Sequence, residues 1–292
     1  MQALLFGAGN IGRISCQLLT ENKDIEIIGF VDNNIDISIY CGKPVYNTQN
    51  ISTLNFDKLA IALGSSEQRV IVREKLKFLG IPENKICYVF ELPGMAHLKF
   101  DNDARCNWVE QFAMFLTEKN IHGSVAECGV NKGDFAKIIN KVFPQSKLYL
   151  FDLFQEGTFS SDDLTAEENI SGGKKLNIYY DFTKTSPELV LSKMPYPDNV
   201  VIRKGYFPDT AVGIDDKFVF VNIDMDLYKP TIDALKFFYD KIIPGGAILI
   251  HDYFDRTEFE NIQKAVSDFE TEIGKRLNLS VIGDYTSICI IK

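Results

Sequence analysis

Val219-Phe-Val-Asn-Ile-Asp-Met-Asp-Leu-Tyr-Lys-Pro-Thr231 is the stretch from which the fold of this 292-residue chain can be read. The run Phe218–Ile223 is nearly all apolar, which predicts a strand buried on both faces of a parallel sheet. Asp224 and Asp226 follow at its C-terminal end, where open α/β sheets gather their ligands. Two residues apart, they would point to the same side of an extended strand. A helix is predicted over Thr231–Lys241. Pro244-Gly-Gly then turns into another apolar strand, Ala247–Ile250, which ends at His251-Asp252. Neighbouring parallel strands lie about 4.8 Å apart, so the two ends can share one cation. Carboxylate oxygens at 224, 226 and 252 suit Mg2+. The plainer alternative makes one Asp a helix cap and leaves the other solvated. His251 could act as base, ligand or orienter of such a site, or as a hydrogen-bonded structural residue.

Upstream the alternation continues. Ser124–Cys128 and Lys147–Phe151 are predicted strands, and Asp134–Val142 a helix. Between them lies Val125-Ala-Glu-Cys-Gly-Val-Asn-Lys-Gly133, with Glu127 near the strand end and Gly129 and Gly133 flanking the loop; Asp152 ends the following strand. One reading is a packing turn in which glycine only permits close approach. The other is a cofactor loop. Glu127 would then face an ammonium or sulfonium, and Asp152 would accept a pair of ribose hydroxyls, as a carboxylate suits two adjacent O–H donors. Leu153–Lys175 is long and rich in Gly, Ser and Asp, the composition of a lid. Val200–Arg203 reads as a strand, Phe259–Ile273 as a helix, and Leu279–Ile282 with Ser287–Ile291 as a closing hairpin.

The N-terminal part is a second α/β passage. Gly7, Gly9 and Gly12 satisfy G-x-G-x-x-G between a strand and a helix, and Asp32 stands 20 residues further at a strand end. This is the dinucleotide-binding context. It is equally the context of a Rossmann-like module that binds something else. Tyr40 and Tyr46 are followed at the fourth position by Pro44 and Asn50, so no Tyr-x-x-x-Lys pair is present. That weighs against a NAD(P)-dependent nucleotide-sugar epimerase or reductase. The passage resembles the small Rossmann modules fused to sugar-modifying enzymes. Pro93, Gly94 and a polar patch suggest domain limits of 1–98, a linker over 99–107, and a second domain over 108–292.

The formal net charge is −9, of which −8 falls beyond residue 98. Nucleic acid and anionic membrane surfaces are poor partners for such a chain. No apolar stretch approaches a membrane span. The six cysteines, at 16, 41, 87, 106, 128 and 289, show no C-x-x-C spacing and read as reduced and cytoplasmic.

Five ordered segments carry a family resemblance: Glu127–Gly133, Leu150-Phe-Asp-Leu-Phe154, Lys204-Gly-Tyr-Phe-Pro-Asp-Thr210, Asp224–Thr231, and Pro244-Gly-Gly with His251-Asp-Tyr253. Together they resemble the macrocin O-methyltransferases of TylF and MycF type, which methylate sugar hydroxyls. The resemblance covers roughly residues 108–292. It implies a class I methyltransferase fold with a seven-stranded Rossmann-like sheet, S-adenosylmethionine as methyl donor, Mg2+, a sugar, nucleotide-sugar or glycan acceptor, and a homo-oligomer. It also implies that Glu127, Gly129, Gly133 and Asp152 line the cofactor, with Gly205 and Tyr206 near its adenine. Asp224 and Asp252 would ligate the metal, with Asp226 competing, and His251 and Asp224 would carry catalysis. The family commonly reads Asp-Asp-Tyr where this chain has His251-Asp252-Tyr253. A non-catalytic nucleotide-sugar-binding protein on a degenerate methyltransferase fold is the remaining alternative; the retained acids weigh against it.

Overall fold

The computed structural model describes residues 1–20, 22–33, 38–64, 66–95, 102–154, 161–170, 184–254 and 260–292. The chain divides into two units, Met1–Ala104 and Arg105–Lys292.

In the first unit the elements run β1 (Gln2–Phe6), α1 (Asn10–Thr20), β2 (Glu26–Val31), β3 (Ile39–Tyr40), β4 (Lys43–Tyr46), β5 (Lys58–Ile61), α2 (Ser66–Phe78) and β6 (Ile86–Tyr88). The sheet order is β3-β4-β2-β1-β5-β6, parallel except for the β3–β4 pair. Alternate strand residues feed two cores. Ala3, Leu5, Phe30 and Ala60 pack with Ile14 and Leu19 of α1; Leu4, Val31, Leu59 and Ile61 pack with Leu76 of α2. This two-sided burial explains why the strands read as apolar runs rather than as alternating patterns.

The second unit contains α3 (Asn102–Glu118, starting just before the unit boundary), β7 (Ser124–Cys128), α4 (Asp134–Val142), β8 (Leu148–Asp152), α5 (Ser161–Ile170), α6 (Pro187–Lys193), β9 (Val200–Lys204), β10 (Phe218–Ile223), α7 (Tyr228–Phe238), β11 (Ile242–Ile250), α8 (Glu260–Ile273), β12 (Leu279–Val281) and β13 (Ile288–Ile291). Its sheet order is β12-β13-β11-β10-β7-β8-β9, and only β13 runs antiparallel to its neighbours. Tyr149, Phe151, Ile248 and Ile250 face α7 and α8; Leu148, Leu150, Ala247 and Leu249 face α3 and α4. All six residues of β10 are buried.

From β7 the chain steps outward to β8 and β9, then returns to place β10 on the other side of β7. The strand order therefore reverses between β7 and β10, and a crevice opens beyond the carboxyl ends of strands at such a switch point.

Three expectations change. Residues 102–107, expected within a linker, belong to α3; residues 96–101 lie outside the described residues. Within 153–175, expected as a long lid segment, Ser161–Ile170 is helical, while 155–160 and 171–175 lie outside the described residues. Pro244-Gly-Gly lies inside β11 rather than before it, because β10 and β11 pair at Phe218 with Ile242 and resume at Phe220 with Ala247. The irregularity leaves Pro244 outside the ladder, where its missing N–H costs no hydrogen bond.

Candidate active site

Register builds the site. Phe151, Cys128, Ile223 and Ile250 are cross-strand partners at the ends of β8, β7, β10 and β11. The residues that follow them therefore form a row along the sheet edge: Asp152, Gly129, Asp224 and His251. Backbone bonds hold this row: Gly129 N–H donates to Phe151 O at 2.9 Å, Asp224 N–H to Cys128 O at 2.8 Å, and His251 N–H to Ile223 O at 2.9 Å. Gly129 has to be glycine here. Its φ is +83°, and a Cβ would lie 1.8 Å from the Asp224 carbonyl oxygen.

Asp224, His251 and Asp252 converge, each offering one ligand atom within 4.8 Å of the others. His251 Nδ1 lies 3.0 Å from Asp224 Oδ1 and 3.0 Å from Asp252 Oδ1. Neither oxygen lies along the ring N–H direction, and Nδ1 has no aligned hydrogen-bond partner among the described residues. The three side chains keep 17–23% of their surface exposed, so the cluster is not sealed in the core. Asp226 lies outside this trio, close enough for the charges of Asp252 and Asp224 to act on it. Asp224 and Asp226 lie beyond the strand whose alternation underlay their expected same-side placement, because β10 stops at Ile223. Asp226 and Asp252 adopt left-handed backbone, with φ of 62° and 57°. Asp tolerates this conformation better than most residues, and it tends to occur where function constrains the chain. Neither 224 nor 226 caps α7: that helix has Leu227 at its N-cap without a side-chain cap, and Tyr228 N–H donates to Glu167 of α5.

Electrostatics separates the acids. Burial alone would raise the Asp224 carboxyl, but the His251 and Arg105 charges outweigh it and hold the group below the usual carboxylate range. Burial, then the charges of Asp252 and Asp224, pushes Asp226 well above that range. For His251 burial opposes the charged ring, yet Asp224 and Asp252 prevail and raise it well above its ordinary value. Arg105 of α3 donates from Nη1 to Asp224 Oδ2 at 2.9 Å, with its side chain only 7% exposed and stacked over Phe135.

Glu127 lies in β7 opposite Asn222 of β10. Asn222 Nδ2 donates to Glu127 Oε1 at 3.0 Å. Glu127 Oε2 and Asn222 Oδ1 are buried acceptors with no partner among the described residues. Burial, reinforced by Asp224, drives the Glu127 carboxyl well above its ordinary value. Asp152 holds the loop that follows β7: its Oδ2 accepts from Val130 N–H at 2.8 Å and Asn131 N–H at 2.9 Å, and its Oδ1 from Phe154 N–H at 2.8 Å. Two oxygens offer about four lone-pair positions, so capacity for one more donor remains. Gly205 N–H donates to the Asp152 carbonyl, which places Gly205 beside that strand end, and the Tyr206 carbonyl closes a turn with Thr210. Gly133 ends the loop as the left-handed residue before α4.

The first unit repeats the device. Asp32 Oδ2 accepts from Ala8 N–H at 2.7 Å, and Tyr40 OH donates to Gly9 O at 3.1 Å. A Cβ on Gly12 would lie 2.1 Å from Gly7 O, whereas none of the surrounding atoms comes within 4 Å of one on Gly9. Gly7 and Gly12 thus serve close packing of strand and helix, and Gly9 leaves open space over the loop.

Residues 84–288 match the sequence pattern of the Macrocin-O-methyltransferase (TylF) family. The chain belongs to that family. The family match reaches upstream of the expected start at 108, and residues 1–87 match the C2185-like N-terminal family. A tetracenomycin enzyme of Streptomyces olivaceus, 8-demethyl-8-(2,3-dimethoxy-alpha-L-rhamnosyl)-tetracenomycin-C 4'-O-methyltransferase, is 32% identical over 78 residues, 26% of this chain and 28% of that enzyme's length. Among solved structures, the O-methyltransferase NovP shares 20% identity with a TM-score of 0.51, over 65% of this chain and 79% of NovP. The calicheamicin methyltransferase CalS11 shares 14% identity with a TM-score of 0.50, over 78% and 94% of the two chains. At these identities the likeness is one of fold, and the fold is that of class I methyltransferases.

Arg105 and Asn222 were missed in the sequence. Asn222 carried a signal, being a lone polar residue inside the apolar run 218–223, and a buried amide there needs a partner. Arg105 carried none that was read, because it fell in the presumed linker.

Proposed function

We propose that this protein transfers a methyl group from S-adenosylmethionine to a sugar hydroxyl, with a divalent cation held by Asp224, His251 and Asp252. The observation that carries the reading is the row of strand ends at the switch point, which sets the unpartnered acceptors of Glu127 and Asn222 beside the Asp224–His251–Asp252 cluster. The acceptors suit the ammonium of the methyl donor's amino-acid part. The residual capacity of Asp152 suits a ribose hydroxyl, and Gly205 lies next to it, toward the adenine side. The cluster's oxygen and nitrogen donors suit a cation, since His251 Nδ1 is buried without an aligned acceptor.

In the reaction a carbon–sulfur bond of the sulfonium breaks as an oxygen–carbon bond forms, and the hydroxyl proton leaves. When bound, the cation would lower the acceptor hydroxyl's pKa and orient a vicinal diol. Asp224, His251 and Asp252 would hold the cation, and positioning of this kind contributes substantially to an in-line displacement. The hydroxyl proton would pass to solvent at the exposed side of the cluster. Arg105 keeps Asp224 ionised and turned toward the cluster. The same reading includes a cytoplasmic homo-oligomer; among the described residues no helix is long and apolar enough to cross a membrane.

Labelled S-adenosylmethionine, incubated with the protein and a panel of nucleotide-sugars, tests the proposal. Transfer to a sugar is expected, and Asp252→Ala should abolish it while leaving donor binding by calorimetry nearly intact. Full activity of that variant, or in excess EDTA, overturns the role of the cation. Absence of donor binding by the wild type overturns the whole reading.

A further inference from the structure

Building on the site proposed above, we infer that its cation is a first-row transition ion such as Mn2+, Fe2+, Co2+ or Zn2+, in preference to the Mg2+ that the family resemblance implies. The donor set is two carboxylate oxygens and one imidazole nitrogen. Mg2+ is a hard ion that favours oxygen ligands and keeps its waters. Imidazole suits Zn2+ and Fe2+, and affinity for mixed nitrogen and oxygen sites rises along the series from Mn2+.

Two features of this chain strengthen the case. First, His251 Nδ1 has carboxylate oxygens at 3.0 Å on two sides and is aligned with neither. The ring nitrogen faces both oxygens at once, an arrangement that a cation replacing the ring proton would preserve. Second, Asp224 has only one oxygen left for an ion, because Arg105 occupies Oδ2. The guanidinium also cancels one of the two negative charges. Mg2+ draws its affinity from anionic oxygen, and here it would find a single uncompensated carboxylate and an imidazole that sheds its proton to ligate. A transition ion regains through the nitrogen bond what the site lacks in charge. Asp at position 251 would restore an all-oxygen set.

The test uses the full-length protein stripped by chelator and titrated with Mn2+, with free and bound ion distinguished by electron paramagnetic resonance. Bound Mn2+ should show spin-echo modulation from a coordinated nitrogen. Mg2+ should displace it only at about a hundredfold excess, and Zn2+ near parity or below. In His251→Asp the nitrogen signal should vanish and the Mg2+ excess needed should fall about tenfold or more. The chain has two other histidines, His97 and His122, so loss in this variant assigns the nitrogen. Bound Mn2+ without nitrogen modulation, or displacement by equal Mg2+, overturns the inference, and the wild type decides this even if the variant fails to fold. Methyl transfer to a sugar without nitrogen modulation would leave the proposed function standing and this inference fallen. A nitrogen-ligated ion with no transfer to any sugar would do the reverse.

Discussion

Replacing Arg105 by methionine should destabilise the second unit by about 3 kcal/mol at neutral pH. Arg105 reaches Asp224 at 2.9 Å with its side chain 7% exposed. Charge centres roughly 4 Å apart attract by about 4 kcal/mol at an effective dielectric near 20. Methionine removes that attraction, but it also removes the penalty of burying the guanidinium, and it retains contact with Phe135. His251 still faces Asp224, so the carboxylate is not left without a cation. These offsets put the loss at the low end of what breaking a buried ion pair costs. For a unit of this size, about 3 kcal/mol lowers the melting temperature by about 6–12 °C. The sign with pH follows from Asp224, whose folded pKa is depressed. Its contribution is complete above the unfolded carboxylate value of about 4 and fades only as the pH falls toward the folded one. The difference between wild type and Arg105→Met should therefore persist from pH 7 to about pH 4 and narrow in stronger acid. Thermal unfolding by circular dichroism, in chelator, measures it. A variant melting within about 2 °C of wild type at pH 7 would refute the reasoning, since the ion pair would then contribute almost nothing.

Gly129→Ala should cost more than about 2 kcal/mol and weaken S-adenosylmethionine binding, because the added methyl meets the Asp224 carbonyl in a left-handed turn; denaturant titration and calorimetry report both, and wild-type stability would contradict the close approach. Glu127→Gln should change stability by less than about 1 kcal/mol, as burial already favours the neutral acid, yet reduce donor affinity about tenfold or more if the carboxylate meets the ammonium; unchanged affinity by calorimetry removes Glu127 from the donor site. Glu270 of α8 accepts from Leu277 N–H and Arg276, which lower its pKa, so Glu270→Gln should cost about 1 kcal/mol at neutral pH. That cost should shrink as the pH drops below about 4, and a gap that widens in acid would contradict the assignment.

Much of the site was legible because it lies at strand ends. A parallel strand buried on both faces is an apolar run, and the first polar residue after it marks the ligand-facing edge. Phe218–Ile223 followed by Asp224, and Ala247–Ile250 followed by His251-Asp252, are visible in this way without coordinates. Arg105 was not, since its role depends on α3 packing across the sheet to a residue more than a hundred positions away. The end of β10 before Asp224 and Asp226 was equally hidden, and alternation predicts side only while the strand continues.

The order of apolar runs and glycine loops was enough to specify two α/β units and the residues at the rim of each sheet. That information is local: burial on both faces writes itself into consecutive side chains. Register, the reversal of strand order between β7 and β10, and the reach of Arg105 to Asp224 came only from the folded chain. They are long-range consequences of which strands pair and which helix covers which face, and no single segment carries them. The chemistry of the cluster belongs to both levels, for the histidine is written in the chain, but its nitrogen meets two carboxylates only because two strand ends align.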